Sequence, residues 1–60
     1  MTVQAVEART WPNGCLGLGG PDELCTQALV PGWRVVLTDG QRTQVFRSDR
    51  TGRQVRLEWP

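Results

Sequence analysis

Cys15 and Cys25 are the two side chains in this 60-residue sequence best suited to covalent chemistry, and nine residues separate them. Such a pair can form a bridge, sit as two reduced thiols, or contribute half of a metal site. Structural zinc takes four ligands from Cys, His and carboxylate. The chain has no His and no further Cys, so neither zinc nor any other metal or cofactor is expected. Bridging this loop removes chain entropy worth about 2.5–3 kcal/mol from the unfolded state. A core of this size supplies about 3–5 kcal/mol, so a Cys15–Cys25 disulfide is the expected state. The alternative, two buried thiols acting as small hydrophobes, belongs to a reducing compartment.

The remaining inventory is poor in catalysts. His, Lys and Tyr are all absent, which removes the usual bases and proton shuttles. Ser48 stands beside Asp49 without a base to activate its hydroxyl. Asp22 and Glu23 are adjacent and suit the capping of a helix start better than acid–base work. The run L-G-L-G-G at 16–20 lacks the Lys and Ser/Thr of a phosphate-cradling loop. No catalytic residue is expected, and the chain reads as a non-enzyme.

All seven basic residues are Arg, and Ile is missing along with Lys, Tyr and His. Lys, Ile and Tyr share AT-rich codons rather than a chemistry, so the bias reads as genomic composition. Charge is uneven: residues 1–30 carry a net −2 and residues 31–60 a net +3, for +1 in total. Arg34, Arg47 and Arg56 fall on strands, where Arg34 and Arg56 are expected to share a solvated face. An excess of three charges is thin for a nucleic-acid interface, which also needs aromatic platforms, and Phe46 is the one credible candidate. Nucleic acid is therefore an unlikely partner. No apolar run approaches the ~20 residues of a spanning helix, so no transmembrane segment is expected.

The elements that would position these groups can be read from periodicity. Residues 2–11 alternate partially and predict a first strand, broken by Pro12-Asn13-Gly14. Residues 21–29 predict a short helix. Pro21, Asp22 and Glu23 suit its start, and Leu24, Cys25, Ala28 and Leu29 share one face. From Trp33 the period becomes two: Trp33, Val35 and Leu37 point one way, Arg34, Val36 and Thr38 the other. Asp39-Gly40 predicts a hairpin turn. A two-residue turn would pair Trp33 with Phe46, a three-residue turn with Val45. Asp49 to Gly52 fits a type I turn. Residues 53–59 predict a last strand with Val55, Leu57 and Trp59 toward the core and Gln54, Arg56 and Glu58 toward water. The expected fold is therefore β-rich α+β, one small domain over 1–60: an antiparallel sheet of about four strands, one short helix on its apolar face and a disulfide. Trp33 and Trp59 are expected in the core. Trp11 suits either a lid on that core or an exposed anchor.

T-W-P-N-G-C-L-G-L (10–18), G-P-D-E-L-C-T-Q (20–27), V-P-G-W-R-V-V-L (30–37) and V-F-R-S-D (45–49), with Gly52 and R-L at 56–57, resemble a small bacterial domain of unknown function. That domain is common in cyanobacteria and usually found in proteins predicted to be exported or lipid-anchored. The resemblance spans 10–57 and leaves the first strand outside. It carries no activity and no functional residue across. What it implies is export, hence a periplasmic or extracellular location with no signal segment in this chain; a cytoplasmic location follows instead if Met1 is the native start.

The expected function is a non-catalytic interaction module whose partner is a protein, with Trp11, Leu16, Leu18, Arg34, Phe46 and Arg56 as candidate contacts. One alternative is a stapled protease inhibitor that presents the 16–24 loop with Leu16 and Leu18, since a disulfide preorganises such loops. A second is a weak nucleic-acid binder using the Arg-rich half.

Overall fold

A computed structural model describes residues 1–59; Pro60 and the side chain of Trp59 lie outside the described residues, and with the latter its expected place in the core. The described chain forms four antiparallel strands, β1 (Thr2–Trp11), β2 (Val30–Thr38), β3 (Thr43–Asp49) and β4 (Val55–Trp59). They lie side by side in sequence order as one sheet, a meander that needs no crossover.

The turns follow from local chemistry. Asp39 Oδ1 accepts the amide N–H groups of Gln41 and Arg42 at 2.9 and 2.7 Å, and Gly40 supplies a φ of 93°. Those two N–H groups, Arg42 first, hold the Asp39 carboxyl below its usual range. The hairpin loop is thus four residues long, with Thr38 opposite Thr43. Trp33 consequently pairs with Ser48, two positions from Phe46 and three from Val45, so neither expected register holds. A slip of two leaves every side chain on its face, which preserves the strand phase. At the next turn the Gly52 N–H reaches the Asp49 carbonyl at 3.4 Å and Gly52 takes a φ of 77°, so the expected four-residue turn closes over Asp49 to Gly52.

The expected helix is replaced by turn and irregular backbone over 21–29. Nine residues cannot sustain a helix without docking, and the apolar face that would dock is exposed at both Leu24 and Leu29. Closure of the loop decides its path instead. Cys15 and Cys25 are bonded, with their Cα atoms 5.4 Å apart, and the Gly14 N–H donates to the Thr26 carbonyl at 2.8 Å. Gly19 lies so close that a Cβ there would meet Cys25 Sγ at 2.5 Å. Asn13 Oδ1 accepts the N–H groups of Cys15 and Gly17 at 3.0 and 3.1 Å. That knot holds Leu16 at a positive φ of 57° with none of its surface exposed.

The stapled loop covers the sheet face opposite to the expected one. Register places Glu7, Arg9, Trp11, Arg34, Val36, Val45 and Arg47 on one side of the sheet, and the loop lies there. The Leu16 carbonyl accepts from Arg47 Nη1 at 2.7 Å, and the Glu23 carboxylate is bonded to Arg56. The core is accordingly small: Trp11, Cys15, Leu16 and Val45. Trp33 and Leu57, expected in the core, are 40% and 48% exposed. Their strand phase was read correctly; the layer that would cover them does not exist among the described residues.

Gly32 shows how tightly β2 is held on the covered side. The Trp11 indole reaches from β1 across β2, where Nε1–H donates to the Ser48 carbonyl of β3 at 2.9 Å. Gly32 is buried, and a Cβ there would overlap that same Ser48 oxygen. The obstruction is backbone on a neighbouring strand, so it cannot rotate away. Gly32→Ala is expected to cost about 1–3 kcal/mol or more by overpacking. Thermal unfolding of the variant checks this; an unchanged melting temperature would contradict the close approach.

Candidate functional site

The covered face carries the charges. Arg9 and Glu7 of β1, Arg34 of β2, Arg47 of β3 and Glu58 of β4 form one chain of ion pairs across all four strands. Arg9–Glu7 is 3.2 Å, Arg34–Glu7 3.6 Å, Arg34–Glu58 3.3 Å and Arg47–Glu58 2.6 Å. Arg47 is the hub. Its Nε–H donates to Glu58, its Nη1 to the Leu16 carbonyl, and its guanidinium lies 4.5 Å from the Trp11 ring centroid. One planar fork can satisfy a carboxylate, a carbonyl and a π face together, which a Lys ammonium cannot. Arg56 uses its fork on Glu23 and so straps the loop to β4.

These pairs set a pH dependence. The hydrogen bond from Arg47 first, then that from Arg34, lowers the Glu58 carboxyl from its ordinary 4.5, against some burial. The Arg56 hydrogen bond, then the Gly20 N–H, holds Glu23 down to about 2. A carboxyl whose folded pKa is depressed adds stability above its unfolded pKa and loses it as pH falls through the folded value. The melting temperature is therefore expected to drop as pH falls from 4.5 toward 2. Glu58→Gln should make that drop shallower, and thermal melts of both proteins across this window measure it. A variant with the same acid profile as the parent would remove Glu58 from the account.

The strand residues of the opposite face carry no charge. Val3, Val6 and Ala8 of β1, Trp33, Val35 and Leu37 of β2, Gln44, Phe46 and Ser48 of β3 and Val55 and Leu57 of β4 share it by register. None of the chain's seven Arg and six acidic residues is among them. Val3, Val6, Trp33, Val55 and Leu57 are exposed on it. Val35, Leu37 and Phe46 are partly exposed. At one end, Ala8, Arg9, Thr10, Pro31, Gly32, Trp33 and Arg50 line a depression of 220 Å³, and Trp33 Nε1 is 3.4 Å from the Arg50 carbonyl. Soluble monomers seldom expose so contiguous an apolar patch without a use for it. Such a surface removes apolar area from water on contact, with no charge to desolvate.

The sequence-derived contact candidates are divided by this arrangement. Phe46 lies on the open face. Trp11 is a lid on the core, 5% exposed, and Leu16 is wholly buried. Leu18 is partly exposed in the stapled loop. Arg34 and Arg56 are on the covered side and engaged by Glu7, Glu58 and Glu23, where the sequence reading had them on a solvated face. Trp33, Val6, Val55 and Leu57 were missed as surface residues. The signal was present in their shared phase, but phase cannot say which of two faces a loop will choose.

Residues 1–57 match the sequence model of a domain of unknown function, DUF8738, so the family likeness takes in the first strand as well. No curated protein and no solved structure matches the chain.

Proposed function

The chain belongs to the DUF8738 family of domains of unknown function, and on its geometry we propose that it is a non-catalytic protein-interaction module, working in the cell envelope or outside the cell, whose contact surface is the uncharged sheet face. The single observation that carries this reading is the open face itself. A sheet that is apolar on one side must bury that side against another layer, and among the described residues the covering segment is on the other side. The Cys15–Cys25 bridge supports an oxidising compartment. Among the described residues no helix is long and apolar enough to cross a membrane. The nucleic-acid alternative is weakened by the charge arrangement. Arg34, Arg47 and Arg56 are spent on carboxylates, and the other basic residues of the C-terminal half sit at different turns, Arg42 in the β2–β3 loop and Arg50 and Arg53 in the β3–β4 turn.

The test is retention. Oxidised wild-type chain and Leu57→Lys, both immobilised, are exposed to an envelope or extracellular fraction of the source cells, and bound proteins are compared. A partner held by the wild type and lost by Leu57→Lys supports the reading. Retention indifferent to that substitution counts against the sheet face.

A second reading, inhibition of a protease by the stapled loop, has one observation in its favour. Leu24, next to the bridged Cys25, is 99% exposed. Leu16, the residue first expected to serve there, is inside the core and would act only through stability. Sub-micromolar protease inhibition abolished by Leu24→Ala would place this reading ahead of the first.

A further inference from the structure

Resting on that reading, we propose that the occupant of the open sheet face is a second copy of this chain, docked face to face as a two-fold symmetric β-sandwich. The area fits. The four strands hold 10, 9, 7 and 5 residues, and at about 3.3 Å per residue and about 4.8 Å between strands their face covers about 490 Å². Two such faces together bury about 1,000 Å², the size at which a specific interface begins.

The surface is also in excess. The isolated chain exposes 4397 Å², whereas a monomer of 6.7 kDa is expected to expose about 3,900 Å² by the scaling of folded monomers. The difference, about 500 Å², is what a thin sheet with one bare side exposes and a sandwich covers.

Charge selects the second copy among possible occupants. In a two-fold interface the same patch meets itself, so any unpaired charge on it faces its own sign. The strand residues of this face carry none, because all thirteen charged side chains lie on the covered side, in the loop or at the turns; Arg9 and Arg50 border only the depression at one end. A partner recognised by charge would find nothing here to pair with. Stacked sheets about 10 Å apart, with strands aligned to within about 30°, are the ordinary packing of two such faces. The result supplies the second layer that a domain architecture requires.

Sedimentation of the oxidised chain from low micromolar to millimolar concentration tests this. The expected mass is twice 6.7 kDa, reverting to 6.7 kDa in Val6→Lys and in Leu57→Lys. Leu24→Lys, on the loop side, is expected to remain a dimer. Because a sheet substitution can also impair folding, a second measurement uses the wild type alone. On dilution the indole N–H resonance of Trp33 and the methyl resonances of Val6 and Leu57 should shift, while the Trp11 indole, bonded to Ser48 within the protomer, should not. A wild-type mass of 6.7 kDa through the millimolar range overturns the proposal. So does a dimer that survives both Lys substitutions, since it would use the β1 edge or the loop instead. A monomer that still loses a retained partner on Leu57→Lys refutes self-association alone and leaves the interaction surface standing. A monomer whose retention is indifferent to that substitution refutes both.

Discussion

Trp11→Ala is expected to leave the chain largely unfolded at room temperature. The side chain is 5% exposed, and truncating a buried Trp costs about 3–5 kcal/mol in transfer energy and residual cavity. Its indole hydrogen bond to the Ser48 carbonyl ties β1 to β3 across β2, and its ring is the surface on which the Arg47 guanidinium rests. The rest of the buried apolar core is Cys15, Leu16 and Val45, too little apolar volume to refill the space of an indole. A 60-residue domain has a margin of about 3–5 kcal/mol, so the loss is of the same size as the whole. Circular dichroism and a thermal melt check this. A cooperative transition within a few degrees of the parent would mean that the buried cluster is not the core. Trp11→Phe should retain most of the burial and lose the Ser48 bond, placing it between the two.

Reduction of Cys15–Cys25 carries the next largest effect. The bridge closes a loop of ten-residue separation, for which the chain-entropy account gives about 2.5–3 kcal/mol. The structure adds a second reason. The loop between the cysteines delivers Leu16 to the core, places its carbonyl on Arg47 and carries Glu23 to Arg56. An untethered loop exposes that small core to water, so reduced protein and the Cys15→Ser, Cys25→Ser double variant should both melt far below the oxidised form. Thermal unfolding with and without reductant measures the difference. The intact mass should rise by two daltons on reduction. A melting temperature indifferent to reductant would show that the loop is held by its polar contacts alone.

The strands were legible in the sequence because a period of two is a local property. Thr2 to Trp11, the alternation from Trp33 to Thr38 and the clean alternation after Arg53 all map onto strands, and the Asp39-Gly40 and Asp49–Gly52 turns are where their residue types place them. The disulfide was legible too, since two cysteines in so small a chain leave few other uses. What misled was the segment 21–29, whose Pro-Asp-Glu start and apolar spacing satisfy helix rules. A nine-residue helix depends on docking, and closure of the bridge with the Gly14–Thr26 hydrogen bond drew the segment into another path.

The sequence alone determined which side chains share a face: Trp33 with Val35 and Leu37, and Arg34 with its opposite set, whatever the register's even slips. It also determined that the chain lacks His, Lys and Tyr; that one face is free of strand charges follows only from the register, since pairing Trp33 with Val45 would have put Arg47 on it. Only the tertiary structure decided which face the stapled loop would cover. Apolar character predicts that a face will be covered, yet the loop went to the charged side. Arg47 and Arg56 could there satisfy the Leu16 carbonyl and the Glu23 carboxylate, while Trp11 and Leu16 closed a core between them. Alternation is written residue by residue along a strand. The choice of face depends on contacts between residues 31 to 37 positions apart, such as Leu16 with Arg47, Glu23 with Arg56 and Trp11 with Ser48, and no local pattern encodes those.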